Sequence, residues 1–373
     1  MPWSKTSVLA LIFILQCSGG LVAQSSRTWS FAVSGDSRNC GDIAMSGIAA
    51  GVHASGAKFY WHLGDFRAMY DFDEDLLAAP ENHSRHLTIA DYQRVAWQDF
   101  ISQQIEPFGT LPVHLTIGNH ELVAPKTRAD FLQQFVDWLD TPELRAQRLR
   151  DDPRDHKLHI YNHWIEGGVD FVSVDNASLE QFDNEQLAWI ERVLARDASD
   201  TSVRTVVVGM HDALPDSIST GHGMNESAQM ERSGRRVYRD LLDFREKTKK
   251  HVYVLASHSH FLIEDVYNDA CHPRPDTLLP GWIVGTAGAV RYRLPANLEG
   301  AKQAKTDVYG FLLGTVQQNG EIEFSFKEVK QSDIPGRVLE RYGDKQVQSC
   351  FLENKSTYAP AGPNCPNGMP SGN

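Results

Sequence analysis

Five apolar runs in this chain give way at once to Asp, Asn or His. Residues 29–34 lead into Gly35-Asp36-Ser37-Arg38, residues 59–63 into Gly64-Asp65-Phe66-Arg67, and residues 112–117 into Gly118-Asn119-His120-Glu121. Residues 205–208 lead into Gly209-Met210-His211-Asp212, and residues 251–256 into Ser257-His258-Ser259-His260. Turn chemistry accounts for one or two such junctions, but five in one chain ask for a shared purpose. Carboxylate oxygen, amide oxygen and imidazole nitrogen are donors suited to Mn, Fe, Zn and similar ions. Two such ions ~3.5–4 Å apart clamp the attacking and leaving oxygens of a phosphoryl transfer. The runs before the clusters are rich in β-formers, and in α/β proteins ligands bind beyond the carboxyl ends of strands.

The order Asp, Gly-Asp, Gly-Asn-His-Glu, His, His-x-His resembles the calcineurin-like metallophosphoesterases. The resemblance runs from about Phe31 to His260, and more loosely through Gly285-Thr286-Ala287-Gly288. It implies an α/β chain folded as a four-layer α/β/β/α sandwich, two mixed sheets flanked by helices, with the site at strand ends. It implies hydrolysis of a phosphomonoester or phosphodiester, small or oligomeric, with two divalent or trivalent metal ions (Mn, Fe, Zn or similar). In that scheme Asp65 bridges the ions, Asn119, His211 and His258 complete one, and Asp36 and His260 belong to the other. A metal-bridging hydroxide is then the nucleophile, because metal binding lowers the pKa of water from 15.7 to about 7. His120 stands near the leaving oxygen as electrostatic stabiliser or general acid, and Glu121 orients a neighbour. Asp175-Asn176 also resembles the family, at a position that is generally structural there.

Two departures matter. The family usually has a metal-binding His two residues after the first Asp, and here that residue is Arg38. The purple acid phosphatases lack that His but carry a Tyr three residues after the second Asp; here Ala68 stands there and Tyr70 comes two residues late. The first ion is left with Asp36, shared Asp65 and His260, so Ser37, water or an unmatched residue must complete it and it should be the weaker one. His62, the nearest unmatched imidazole, lies inside a strand run and reads as structural. A guanidinium pointed at an ion would set like charges together, so Arg38 is expected to turn away. Its planar fork would then bind two oxygens of an incoming phosphate, in a catalytic and substrate-binding role. His222, between Gly221 and Gly223, is a second candidate substrate contact. The alternative reading is a weakly active or inactive descendant that binds a phosphorylated ligand or a partner.

The elements that position these clusters follow from the pattern between them. Asp42 is expected to cap a small-residue helix through residue 55. The acidic residues 71–75 and the stretch to His83 read as a solvated or substrate-facing loop. Residues 91–108 predict a helix with Val95, Phe100, Ile101 and Ile105 on one side, and residues 128–139 another. Residues 141–157 read as charged surface. Residues 158–165 and 169–174 predict a hairpin through Glu166-Gly167-Gly168. Asp183 is expected to cap the next helix and residues 226–249 to form a long charged one. Three strand runs after residue 280, without long helices between them, are expected to form the second sheet.

With 373 residues, 41% of them apolar, the chain suffices for one large domain. Lys5, the apolar run 8–15 and small residues at Ser18, Gly19, Gly20 and Ala23 predict a secretory leader over residues 1–23. Lipid attachment at Cys17 is the alternative. The expected product is secreted or periplasmic, has no membrane span after cleavage, and comprises a phosphoesterase domain over residues 24–358 and a loose tail over 359–373. It would carry 35 basic against 48 acidic residues, a net charge of −13, which disfavours wrapping a nucleic-acid backbone. Four cysteines would remain without C-x-x-C spacing. Outside the cytosol they are expected to pair as Cys350–Cys365 and Cys40–Cys271, free buried thiols being the other reading.

Overall fold

The structure, a computed structural model, describes Met1 and residues 28–177, 182–267 and 278–362. The expected leader with Cys17, the cysteines Cys271 and Cys365, and residues 363–373 of the expected tail lie outside the described residues.

Among the described residues, twelve strands form two mixed sheets. In chain order they are β1 (Trp29–Ser34), β2 (Tyr60–His62), β3 (Val113–Leu115), β4 (Asn162–Glu166), β5 (Val169–Ser173) and β6 (Thr205–Gly209), followed by β7 (His251–Ala256), β8 (Leu262–Glu264), β9 (Gly281–Val284), β10 (Gln303–Lys305), β11 (Tyr309–Val316) and β12 (Ile322–Val329). One sheet runs β12-β11-β1-β2-β3 and the other β10-β8-β9-β7-β6-β5-β4. The parallel strands β1, β2 and β3 share a direction in the first sheet, as do β5, β6, β7 and β9 in the second. Every residue of β6 is buried, as an unbroken Val run requires when both faces of a parallel sheet are covered.

The sheets meet through an aromatic layer. Phe171 stands edge-on to Phe31 and Phe59 at 4.9 and 5.0 Å, and His114 stacks on Trp164 at 3.7 Å. Helices Gly41–Ser55 and Gly336–Leu352 share the core outside the first sheet, while Asn184–Ser199 and Ala228–Thr248 cover the second. The layers are therefore helix, sheet, sheet, helix. No described helix is long and apolar enough to cross a membrane.

Several expectations need correction. The late strands do not make a separate sheet: β9 joins β7, and β11 with β12 extends the first sheet beside β1. Their sequences carry no address for a partner strand. Residues 141–157 contain the helix Pro142–Asp151, capped by Thr141, whose Thr-Pro start was legible. Residues 89–108 pass from α-helix into a π-helical turn at Ile101–Ile105, and the buried face is Tyr92, Ala96, Trp97 and Phe100 while Val95 is exposed.

Asp42 caps nothing; its carboxylate receives the Arg67 guanidinium at 2.6 Å. Arg67 also faces Asp73 and Asp75, at 3.5 Å each, and Asp99. The acidic stretch is thus folded inward, where buried Asp73 accepts the backbone N–H groups of Asn39 and Ala68. A buried cation draws carboxylates in because an unpaired one is costly to hold.

Cys40 pairs with Cys350, not with Cys271, so the local staple Cys350–Cys365 does not form. The C-terminal helix, which carries no strong sequence signal, lies on helix Gly41–Ser55 and brings Cys350 to Cys40 across 310 residues.

Candidate metal centre

All five polar clusters lie at the carboxyl ends of β1, β2, β3, β6 and β7. Their backbone is unusual. Asp36, Asp65 and His258 have positive φ, at 61°, 59° and 63°. Non-glycine residues rarely adopt this left-handed region, and buried hydrogen bonds must hold them there. The Asp36 N–H donates to Gly64 O at 2.9 Å, and the His258 N–H to Asp36 Oδ2 at 2.7 Å. The Glu121 carboxylate accepts the N–H groups of Asp65, Phe66 and Gly118 at 2.9, 2.9 and 2.8 Å. The strand ends must touch for this: a Cβ on Gly118 would lie 2.3 Å from the Asp65 amide, so only glycine fits. Asn176 Oδ1 accepts from the N–H groups of His211 and Asp212, both at 3.1 Å, a positioning task.

The side chains then converge. His211 Nδ1 lies 2.9 Å from Leu63 O, which fixes its proton there and turns the Nε2 lone pair inward. That nitrogen lies 2.9 Å from Asn119 Oδ1, 3.0 Å from His258 Nδ1 and 3.3 Å from Asp65 Oδ1. Four electron-pair donors so placed repel one another unless a cation or a proton sits among them. The demand for positive charge shows in His211: burial opposes its charged form most strongly, yet Asp65, Asp36 and Asp212 together outweigh burial and raise it to about 10. These oxygen and nitrogen donors fit a Zn- or Mn-type ion.

The other expected position is different. His260 Nδ1 lies 2.6 Å from Val290 O, so its Nε2 lone pair also turns inward, 3.4 Å from Asp36 Oδ1. Arg38, 5% exposed, fills the space before it. Its Nη2 donates to His260 Nε2 at 3.0 Å, its Nε faces Asp65 Oδ2 at 3.8 Å, and Nη1 donates to the Tyr70 hydroxyl at 3.2 Å. The expectation that Arg38 turns away is corrected. With no histidine supplied at this point, the buried lone pair and carboxylate draw in the Arg38 guanidinium. Ser37 is not free to help, since its hydroxyl lies 2.9 Å from His62 Nε2. Arg38 therefore stands among Asp36, Asp65 and His260, where the first ion is expected, while buried Asp36 Oδ1 and Asp65 Oδ2 accept no hydrogen bond among the described residues.

Around this core, His120 Nδ1 lies 2.6 Å from Ala68 O, and its Nε2 is 3.5 Å from Asp65 Oδ2. Burial lowers His120 to about 4. His222 stacks on His258 at 3.8 Å, and its buried Nε2 has no hydrogen-bond partner among the described residues. Three tyrosines complete the rim. Tyr70 lies against His120, Tyr292 stacks on His260 at 3.9 Å, and Tyr358 stands edge-on to Tyr292. Sequence reasoning missed Tyr292, Tyr358 and Asp212. Asp212, buried and 3.5 Å from His258 Nδ1, directly follows His211 and was within reach of inference. The two tyrosines follow no motif.

Residues 40–262 match the family model described as calcineurin-like phosphoesterase, more than half of the chain. No protein of curated function matches. Among solved structures, a purple acid phosphatase from yellow lupin (Lupinus luteus) seeds aligns at TM-score 0.55 and 16% identity, over 81% of this chain and 52% of the lupin chain. This chain thus spans about half the length of that enzyme, and the likeness is one of fold. A structure of PhoD aligns at TM-score 0.48 with 13% identity, over 87% of this chain and 77% of that one. A dimetal phosphatase from Danio rerio aligns at 0.46 with 11% identity, over 81% and 99%.

Proposed function

Because the chain belongs to the calcineurin-like phosphoesterase family, we propose that it is a metal-dependent phosphoester hydrolase that works outside the cytosol. The observation that carries the reading is the meeting of Asp65 Oδ1, Asn119 Oδ1 and His258 Nδ1 around His211 Nε2, at 3.3, 2.9 and 3.0 Å. These residues would hold the ion. When bound there, an ion supplies Lewis-acid stabilisation to a phosphoryl group.

The chain's own groups supply the rest. Arg38 sets a fixed positive charge beside the carboxylate of Asp65, where a phosphoryl group's developing charge would be stabilised. His120 is neutral before substrate arrives; a phosphoester's negative charge favours its protonation and so a role as acid to the leaving oxygen. His222, Tyr292 and Tyr358 offer an aromatic side to the leaving group. The Cys40–Cys350 bridge supports a location outside the reducing cytosol.

The test is release of p-nitrophenol from p-nitrophenyl phosphate and from its bis-ester, with Mn, Fe, Co, Ni or Zn supplied in turn. Chelator-sensitive turnover is expected, and which ester is cut separates monoesterase from diesterase. One observation favours a second reading, a phosphate-binding protein without turnover: Arg38 stands where the family's first ion is expected. Absence of turnover with every metal would establish it.

A further inference from the structure

We infer that this chain carries one metal ion, and that the Arg38 guanidinium supplies the second positive charge in place of a second ion. The inference rests on the metal-dependent reading above and deepens it.

Three observations lead there. First, the two inward lone pairs are treated differently. His211 Nε2 faces Asn119 Oδ1 and His258 Nδ1, whereas His260 Nε2 accepts a hydrogen bond from Arg38 Nη2 at 3.0 Å. A lone pair engaged by a buried N–H is not available to an ion. Second, the guanidinium stands beside the partners that a first ion would need, although buried Asp36 Oδ1 and Asp65 Oδ2 accept no hydrogen bond among the described residues. Nη2 is on His260 and Nε is 3.8 Å from Asp65 Oδ2, the oxygen turned away from His211. A dication beside them would add like charge to like in a site from which water is largely excluded. Third, the guanidinium is gripped rather than passing through. Nη1 donates to the Tyr70 hydroxyl at 3.2 Å and Nη2 reaches the Tyr292 hydroxyl at 3.4 Å, while the Tyr292 ring covers His260. The backbone behind it is equally fixed: Asn39, the next residue, has φ of 69° and donates its N–H to buried Asp73 at 2.6 Å. Swinging Arg38 out would break four contacts and leave His260 Nε2 without its donor.

The arrangement has a chemical consequence. A guanidinium cannot lose its proton near neutral pH and cannot be removed by a chelator. One positive charge of the centre is therefore permanent, and only the ion's share depends on metal supply.

Metal content decides the matter. The purified full-length chain, titrated with Mn(II) or Zn(II) and followed by native mass spectrometry and elemental analysis, should bind one equivalent tightly. Arg38→His should bind two. A second readout does not depend on any variant: the Mn(II)-loaded wild type should give the six-line electron paramagnetic resonance spectrum of an isolated ion. Two tight equivalents in the wild type, or the multiline spectrum of an exchange-coupled pair, would overturn the inference while leaving the metal-dependent reading intact. No bound metal at all would overturn both. If Arg38→His does not fold, Arg38→Met, which removes the charge at similar length, should add a second and weaker equivalent. Wild-type stoichiometry in that variant would count against the inference.

Discussion

Glu121 and Asp65 come from different strand ends, yet the Glu121 carboxylate accepts the Asp65 backbone N–H at 2.9 Å and also those of Phe66 and Gly118. This carboxylate holds two ligand-bearing loops to each other. Glu121→Ala leaves three buried N–H groups unpaired, each costing roughly 1–3 kcal/mol. The expected outcome is a loss of about 3 kcal/mol or more in stability. Metal affinity should fall ~10–100-fold, as when support for a ligand is lost. Denaturant unfolding and metal titration of the variant check this; an unchanged midpoint with unchanged affinity contradicts it.

The Cys40–Cys350 bridge closes most of the chain into a loop and fastens the segment after Arg38 to the C-terminal helix. Removing a bridge from a long loop frees chain entropy in the unfolded state, worth on the order of 2–4 kcal/mol. Replacing both cysteines by Ser should lower the melting temperature by several degrees. A free-thiol assay on the unfolded wild type should find neither cysteine reactive until reductant is added.

Iron-loaded protein should be without the strong visible charge-transfer band that a tyrosinate ligand gives. Ala68 stands where that tyrosine is expected, and the Tyr70 hydroxyl accepts from Arg38 instead. A purple preparation would show that a tyrosine reaches the ion.

His163, far from the centre in sequence and strand, provides the pH dependence. Burial opposes its charge, but Asp170 at 2.9 Å and Asp151 raise it to about 9, with Arg196 packed on the same cluster. The folded value lies above the usual 6.5, so the stabilisation is complete below about pH 6.5 and is lost as pH rises through about 9. At ~1.4 kcal/mol per unit, the wild type should lose up to roughly 3 kcal/mol relative to His163→Gln across that window. Unfolding midpoints of both proteins at several pH values measure it; parallel curves would refute it.

The ligand strands were legible because each pairs an apolar run with an abrupt polar end, and β1, β7 and the hairpin of β4 and β5 follow the expected residues closely. The roles of Glu121 and Asn176 as positioning groups were legible for the same reason, since both lie within motifs. What escaped depends on distance. Cys350 reaches Cys40, and Tyr292 and Tyr358 reach the rim, through packing that no local spacing encodes. Arg38 shows another limit. Charge repulsion would keep a guanidinium from an ion, but the buried groups that receive it, His260 and Asp65, come from strands far away in sequence.

The central claim is that Asp65, Asn119, His211 and His258 hold an ion. Anomalous difference maps from crystals soaked in Mn(II) or Zn(II), wild type beside His211→Ala, test it most directly. A peak bonded to those four residues is expected in the wild type. In a folded His211→Ala the peak should be absent or much reduced, with activity lower by at least ~100-fold. A wild-type peak elsewhere, such as at His222 and Glu226, or a full peak that survives the loss of His211, would contradict it.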